Sequence, residues 1–152
     1  MRLAPLLAAR RRGHGFTMIE LLVVVAIIAI GSAGVAFALR DSAANQLERE
    51  GLRLASLFEA ARAQSRSTGR PIVWQPTEAG FRFVGAMDGT LPNHWLSDAV
   101  QVHGTPVLVL GPEPVIGPQE VVLVSTALPD RSVRVVTGGL RPFRLAGEGI
   151  PP

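Results

Sequence analysis

Nineteen consecutive residues, Leu21 to Leu39, contain nothing more polar than Ser32 and the small Gly31 and Gly34. That length is close to the ~20 residues needed to cross the hydrocarbon core of a bilayer as a helix. The run is apolar all round rather than along one stripe, which fits lipid on every side better than the buried helix of a globular core. One carboxylate, Glu20, stands at its front edge. Arg2, Arg10, Arg11 and Arg12 precede it, the charge arrangement of a leader whose basic end is held at the cytoplasmic face. An ordinary secretory signal places its small cleavage residue after the apolar run, whereas here Gly15 comes before it. Cutting after Gly15 removes those arginines and leaves the apolar segment on the product, as an anchor.

Gly15, Phe16, Thr17, Met18, Ile19, Glu20 and Leu21 resemble the class III leader of type IV pilins and type II secretion pseudopilins, with Met18 in place of the usual leucine. The resemblance implies cleavage by a prepilin peptidase between Gly15 and Phe16, followed by N-methylation of the Phe16 amine. It also implies that Glu20 meets the positive N-terminal amine of a neighbouring subunit during assembly. Such a pairing is sound chemistry, because a carboxylate in lipid is expensive unless paired and each ion offsets the other's desolvation. The alternative for Glu20 is an interfacial carboxylate among lipid headgroups. The location implied is the bacterial inner membrane, crossed once, with a C-terminal head in the periplasm.

All 15 basic residues are arginine, and removal of the leader takes four of them, leaving 11 against 12 acidic residues. The basic balance of the whole chain therefore says little about nucleic acid. The chain has no cysteine, which excludes disulfides and thiolate metal sites. A head of roughly 80 residues must then be held by its core alone.

Beyond the anchor the helical period continues. No proline occurs between Arg40 and Ser67, and Leu47, Gly51, Leu54, Phe58 and Ala61 recur at spacings of four and three. Arg49, Arg53, Glu59, Arg62 and Arg66 fall largely outside that stripe, with Glu59 and Arg62 spaced for a polar contact. The expectation is one helix from Thr17 to Ser67, ended by Gly69 and Pro71. Gly31 and Gly34 are places where it can pack closely or loosen. After Pro71 the period becomes alternating. Ile72 to Gln75 and Phe81 to Val84 read as a hairpin, with Trp74, Phe81 and Phe83 inward and Arg82 outward. Val107 to Leu110 and Val121 to Val124 read as strands covered on both faces. Ser132 to Thr137 and Pro142 to Leu145 alternate, with Val133, Val135, Phe143 and Leu145 toward the core. Gly85 to Asp98 and Gly111 to Pro118 read as surface loops. The expected class is α+β and type IV pilin-like: a long N-terminal helix, half transmembrane and half amphipathic, packed on an antiparallel β-sheet head. The expected divisions are a leader over 1–15, a transmembrane helix over 16–39, its amphipathic continuation over 40–68 and the head over 69–152.

Leu47-Glu48-Arg49-Glu50 with Arg53-Leu54, Ala61-Arg62, Thr68 to Ile72, Gly80 to Phe83 and Arg141 to Leu145 resemble the minor pseudopilin H group of type II secretion, which includes the T- and U-type minor pilins. The resemblance implies a minor subunit near the tip of a pseudopilus, working with a prepilin peptidase, other minor pseudopilins and the major pseudopilin to export folded proteins. The alternative is a minor pilin of a type IV pilus, with Arg131, Arg134, Arg141 and Arg144 contacting DNA during uptake. Against that patch, Asp130 and Glu148 flank it and no aromatic residue interleaves for base stacking.

Signs of catalysis are sparse. His14, His94 and His103 have no zinc or nucleophile spacing. Gly138-Gly139 is a hairpin turn signal, since no helix follows it to cradle a phosphate. Asp88 and Asp98 lack the cluster of oxygen ligands that calcium needs. The expectation is a substrate of an enzyme, not an enzyme, with no cofactor or metal.

Overall fold

The computed structural model is described over residues 16–146, which divide into two units that meet between Phe37 and Ala38. A single helix, α1 (Met18–Thr68, 51 residues), contributes to both. Thr17 caps its start: the Glu20 N–H donates to Thr17 Oγ1 at 3.2 Å, and the Leu21 N–H donates to the Thr17 carbonyl at 3.2 Å. Its other end is closed by Gly69, whose φ of 65° is the left-handed conformation that glycine adopts without a Cβ clash.

In the first unit the described side chains of α1 are exposed on every side. Ile19, Ile27, Ile28, Ile30 and Val35 are all more than 60% exposed. Ser32 is tolerated in this segment because its hydroxyl donates to the Ile28 carbonyl at 2.8 Å, leaving no bare polar donor.

The second unit is built on the apolar stripe of α1. Leu47, Gly51, Leu54, Phe58 and Ala61 are all buried, as their spacing requires. Against them lie two antiparallel sheets, β2-β1-β4 and β3-β5-β6-β7. The strands are β1 (Val73–Thr77), β2 (Gly80–Val84), β3 (Val100–Val102), β4 (Leu108–Val109), β5 (Gln119–Ser125), β6 (Leu128–Thr137) and β7 (Arg144–Ala146). Phe58 is the hub of the core. Its ring lies 5.2 Å from Trp74 at 78°, 6.4 Å from Phe83 at 72° and 4.8 Å from Phe143 at 58°, in the tilted and edge-on arrangements that aromatic quadrupoles favour. At Gly51 the helix packs closely on the larger sheet. A Cβ there would lie 2.8 Å from Val133 Cγ1 and 2.9 Å from Leu145 Cδ2.

Several strands depart from the sequence expectation, each for a physical reason. β1 runs through Pro76 to Thr77, so the β1–β2 turn shrinks to Glu78 and Ala79. Pro76 is tolerated because its ring nitrogen lies on the β4 side, where pairing stops after Val73–Val109 and Trp74–Leu108. Continuing that register sets Pro76 opposite Pro106, two residues with no N–H to give, and β4 ends there. Val107 and Val109, on the outer face, are 61% and 48% exposed, so Val107 to Leu110 is not covered on both faces; only Leu108 and Leu110 face the core. In β5, by contrast, Val121, Val122 and Leu123 are all buried, and that strand is covered on both sides. β3, a three-residue strand beyond Asp98, carries no alternation long enough to announce itself in sequence.

Candidate functional site

The residues expected to carry function lie at the start of α1. Phe16 is 76% exposed and immediately precedes the cap residue Thr17, with Glu20 exposed in the first helical turn. Gly15, Arg2, Arg10, Arg11, Arg12 and His14 lie outside the described residues, as does Glu148. Sequence reasoning missed Thr17, although Thr17-Met18-Ile19-Glu20 has the T-x-x-E form of a capping box. The cap has two consequences. It sets the start of the helix at Met18, two residues after Phe16, and it holds Glu20 at the end of α1 where the aligned peptide dipoles favour a negative charge. A carboxylate one turn into the helix, close to Phe16 in sequence, is thereby presented outward, with no partner from its own chain in hydrogen-bond reach among the described residues.

Residues 10–36 match the family model described as the prokaryotic N-terminal methylation motif. The chain carries a prepilin-type N-terminus. The motif implies processing by a prepilin peptidase and assembly with other pilin subunits, and with the long helix on antiparallel sheets it supports a type IV pilin-like protein. The match ends at residue 36 and leaves the rest of the chain unmatched. No curated protein and no solved structure matches the chain. One window of α1 is long and apolar enough to cross a membrane, with a mean hydropathy of 2.7, which is compatible with a single anchor.

The head reveals a second set of residues whose placement the apolar pattern hid. Glu50 is 2% exposed and Arg62 5% exposed, so these two charges are not on a solvated face. Glu50 Oε1 accepts from Arg53 Nη1 at 2.6 Å and from the Leu96 N–H at 3.2 Å, and Arg53 Nη1 also donates to the His94 carbonyl at 3.1 Å. Glu59 Oε1 accepts from Arg62 Nη1 at 3.2 Å and from the Phe143 N–H at 3.0 Å, while Arg62 Nη2 donates to the Pro114 carbonyl at 3.3 Å. Gln64 takes the Met87 N–H at 3.2 Å and donates to Thr90 Oγ1 at 3.1 Å. The helix thus pins the backbone of its connecting segments with largely charge-assisted bonds, in a head that has no disulfide. Glu50, Arg53 and Arg62 fall in the segments Leu47 to Leu54 and Ala61-Arg62 of the sequence, and their observed work is positional.

The remaining candidates separate. His94 is an exposed loop residue with its ring 3.4 Å from Asn93 Oδ1, and His103 is exposed at the end of β3. Asp88 and Asp98 are exposed in the loop region after β2, and among the described residues no group of three or more His, Cys, Asp or Glu gathers to hold a metal ion. Of the four arginines considered for DNA, Arg134 forms a two-pronged bond to Glu120, Nε to Oε1 at 2.7 Å and Nη2 to Oε2 at 2.6 Å. That bond holds the Glu120 carboxyl below its ordinary range and raises the guanidinium further. Arg141 and Arg144 are exposed on and before β7.

Proposed function

We propose that the chain is a minor pseudopilin of a type II secretion pseudopilus, placed near the tip and supporting export of folded proteins across the outer membrane. The observation that carries this reading is the exposed apolar half of α1, fronted by the capped Glu20 within the prepilin-type motif. An exposed, all-apolar helix needs lipid before assembly and other helices after it. In this reading the peptidase cuts between Gly15 and Phe16, the new Phe16 amine is methylated, and Glu20 receives the amine of an adjacent subunit. The head faces the periplasm and acts as a structural part, not as a catalyst; Glu50, Arg53, Glu59 and Arg62 along its helix are engaged in holding the backbone of connecting segments. The assignment to the H group rests on the helix and strand motifs given above. The DNA-uptake reading gains no support from Arg134, whose charge is already engaged by Glu120.

The test is incorporation. Glu20→Ala is expected to leave the head folded and the leader removed, while the subunit fails to co-purify with the other minor pseudopilins and secretion falls. Normal secretion and normal co-purification by that variant would remove the role assigned to Glu20. Tight binding of the whole protein to DNA, weakening steeply with salt, would instead favour a type IV pilus.

A further inference from the structure

The larger sheet ends at β3, and among the described residues the outer edge of β3 has no strand beside it. Toward β5, the Thr126 N–H donates to the Ala99 carbonyl and the His103 N–H donates to the Val122 carbonyl, both at 2.8 Å, with Gln101 opposite Val124 between them. Alternate residues of an antiparallel strand bond to opposite sides, so Val100 and Val102 direct their backbone groups away from β5. The Val100 N–H is used locally, donating to the Ser97 carbonyl at 3.1 Å. The Val100 carbonyl and both backbone groups of Val102 therefore face a groove of about 780 Å³.

The far wall of that groove is the end of the β1–β2 hairpin, from Pro76 to Gly80. Pro76 offers no donor on this side, so the wall is a poor strand template and the β3 edge is the usable one. Trp95 lines the same groove, half-buried, its ring 4.6 Å from Phe81 at 61°, which gives an extended chain a rigid apolar surface to lie on. Glu78 and Asp98, both exposed, are the charged residues of the lining, and among the described residues no basic side chain lines the groove.

We propose that this groove binds an extended segment of a partner polypeptide that alternates apolar and basic residues, added as a fifth strand along β3. Main-chain bonds to Val100 and Val102 supply the pairing, and the two carboxylates select for arginine or lysine. The proposal rests on the head alone and stands whether or not the secretion reading does.

The experiment uses the full chain in detergent micelles and three blocked pentapeptides. One alternates valine with arginine, one alternates valine with glutamate, and one is the arginine peptide with N-methylated backbone amides. The arginine peptide is expected to bind saturably and to slow hydrogen exchange at the Val102 amide. The glutamate peptide should bind at least about tenfold more weakly, and the N-methylated peptide should not bind, since it cannot pair as a strand. The double variant Glu78→Arg, Asp98→Arg, two exposed positions, should keep its melting temperature and invert the preference between the charged peptides. Absence of saturable binding by the arginine peptide would overturn the proposal. So would unchanged exchange at Val102, or the same preference in the double variant as in the natural protein.

Discussion

The two halves of α1 share one backbone and differ in what completes them. From Ile19 to Leu39 the large apolar side chains described are exposed. From Leu47 to Ser65 the same helix buries one face in the head and uses its flanks to hold loops. Both halves carry large apolar residues, but the first has no charge between Leu21 and Leu39 while the second sets its apolar residues among charged ones. The two differ in hydropathy and in periodicity, and periodicity says where each is completed. A stripe recurring at three and four residues predicts a surface within the same molecule. A run without a stripe predicts a solvent other than water, or other copies of such a helix.

The largest effect that sharpens this contrast comes from the aromatic hub. Phe58→Ala removes the ring that meets Trp74, Phe83 and Phe143, and is expected to destabilise the head by about 3–5 kcal/mol in thermal denaturation of the full chain in detergent. Ile27→Ala, 64% exposed in the native chain, should leave the same transition in place. Equal losses from the two variants would break the division of α1 into a self-completed and an externally completed half.

Glycines give the next comparison. Gly51→Leu must displace Val133 and Leu145 and should cost about 1–3 kcal/mol through overpacking. A Cβ at Gly34 meets nothing within 4 Å, so Gly34→Leu is expected to leave the melting of the head unchanged. Glu50→Ala comes third: it strips the Leu96 and Arg53 donors of their acceptor and should cost about 1–3 kcal/mol. Its distinguishing readout is faster hydrogen exchange at the Leu96 amide, with Phe143 unaffected because Glu59 holds that bond.

The smallest effect belongs to the Glu120–Arg134 pair across β5 and β6. Glu120 has a carboxyl held below its unfolded range, chiefly by its hydrogen bonds to Arg134. A depressed carboxyl pKa contributes stability that is present above the unfolded value and is lost as pH falls through the folded one. Glu120→Gln should therefore melt slightly below the natural protein at neutral pH. The gap should close under acid conditions, below about pH 4, and a gap that widened with acid would contradict the sign.

Much of this fold is legible in sequence where a period is long. The expected helix from Thr17 to Ser67 is observed as Met18–Thr68, and its stripe is buried residue for residue. The inward Trp74, Phe81, Val135 and Phe143 are likewise read from alternation. What escaped has no period to read. β3 is three residues long, and β4 is cut to two by a pair of prolines that oppose one another only once the register is known. The burial of Glu50 and Arg62 escaped for a different reason. A charge beside a stripe looks the same in sequence whether it faces water or the backbone of a loop folded over it. At the N-terminus the motif is legible, and the Thr17 cap one turn before Glu20 is written beside it in the T-x-x-E spacing.

The central claim, that the basic prefix is discarded while the apolar half of α1 is kept for assembly, is tested most directly by mass spectrometry of the N-terminus of the protein recovered from membranes of cells with a prepilin peptidase. The account predicts a mature chain that begins at Phe16 and carries a methyl group on its amine. A chain that retains Arg10 to Arg12, or one cut beyond Leu39 so that the apolar segment is gone, would contradict it.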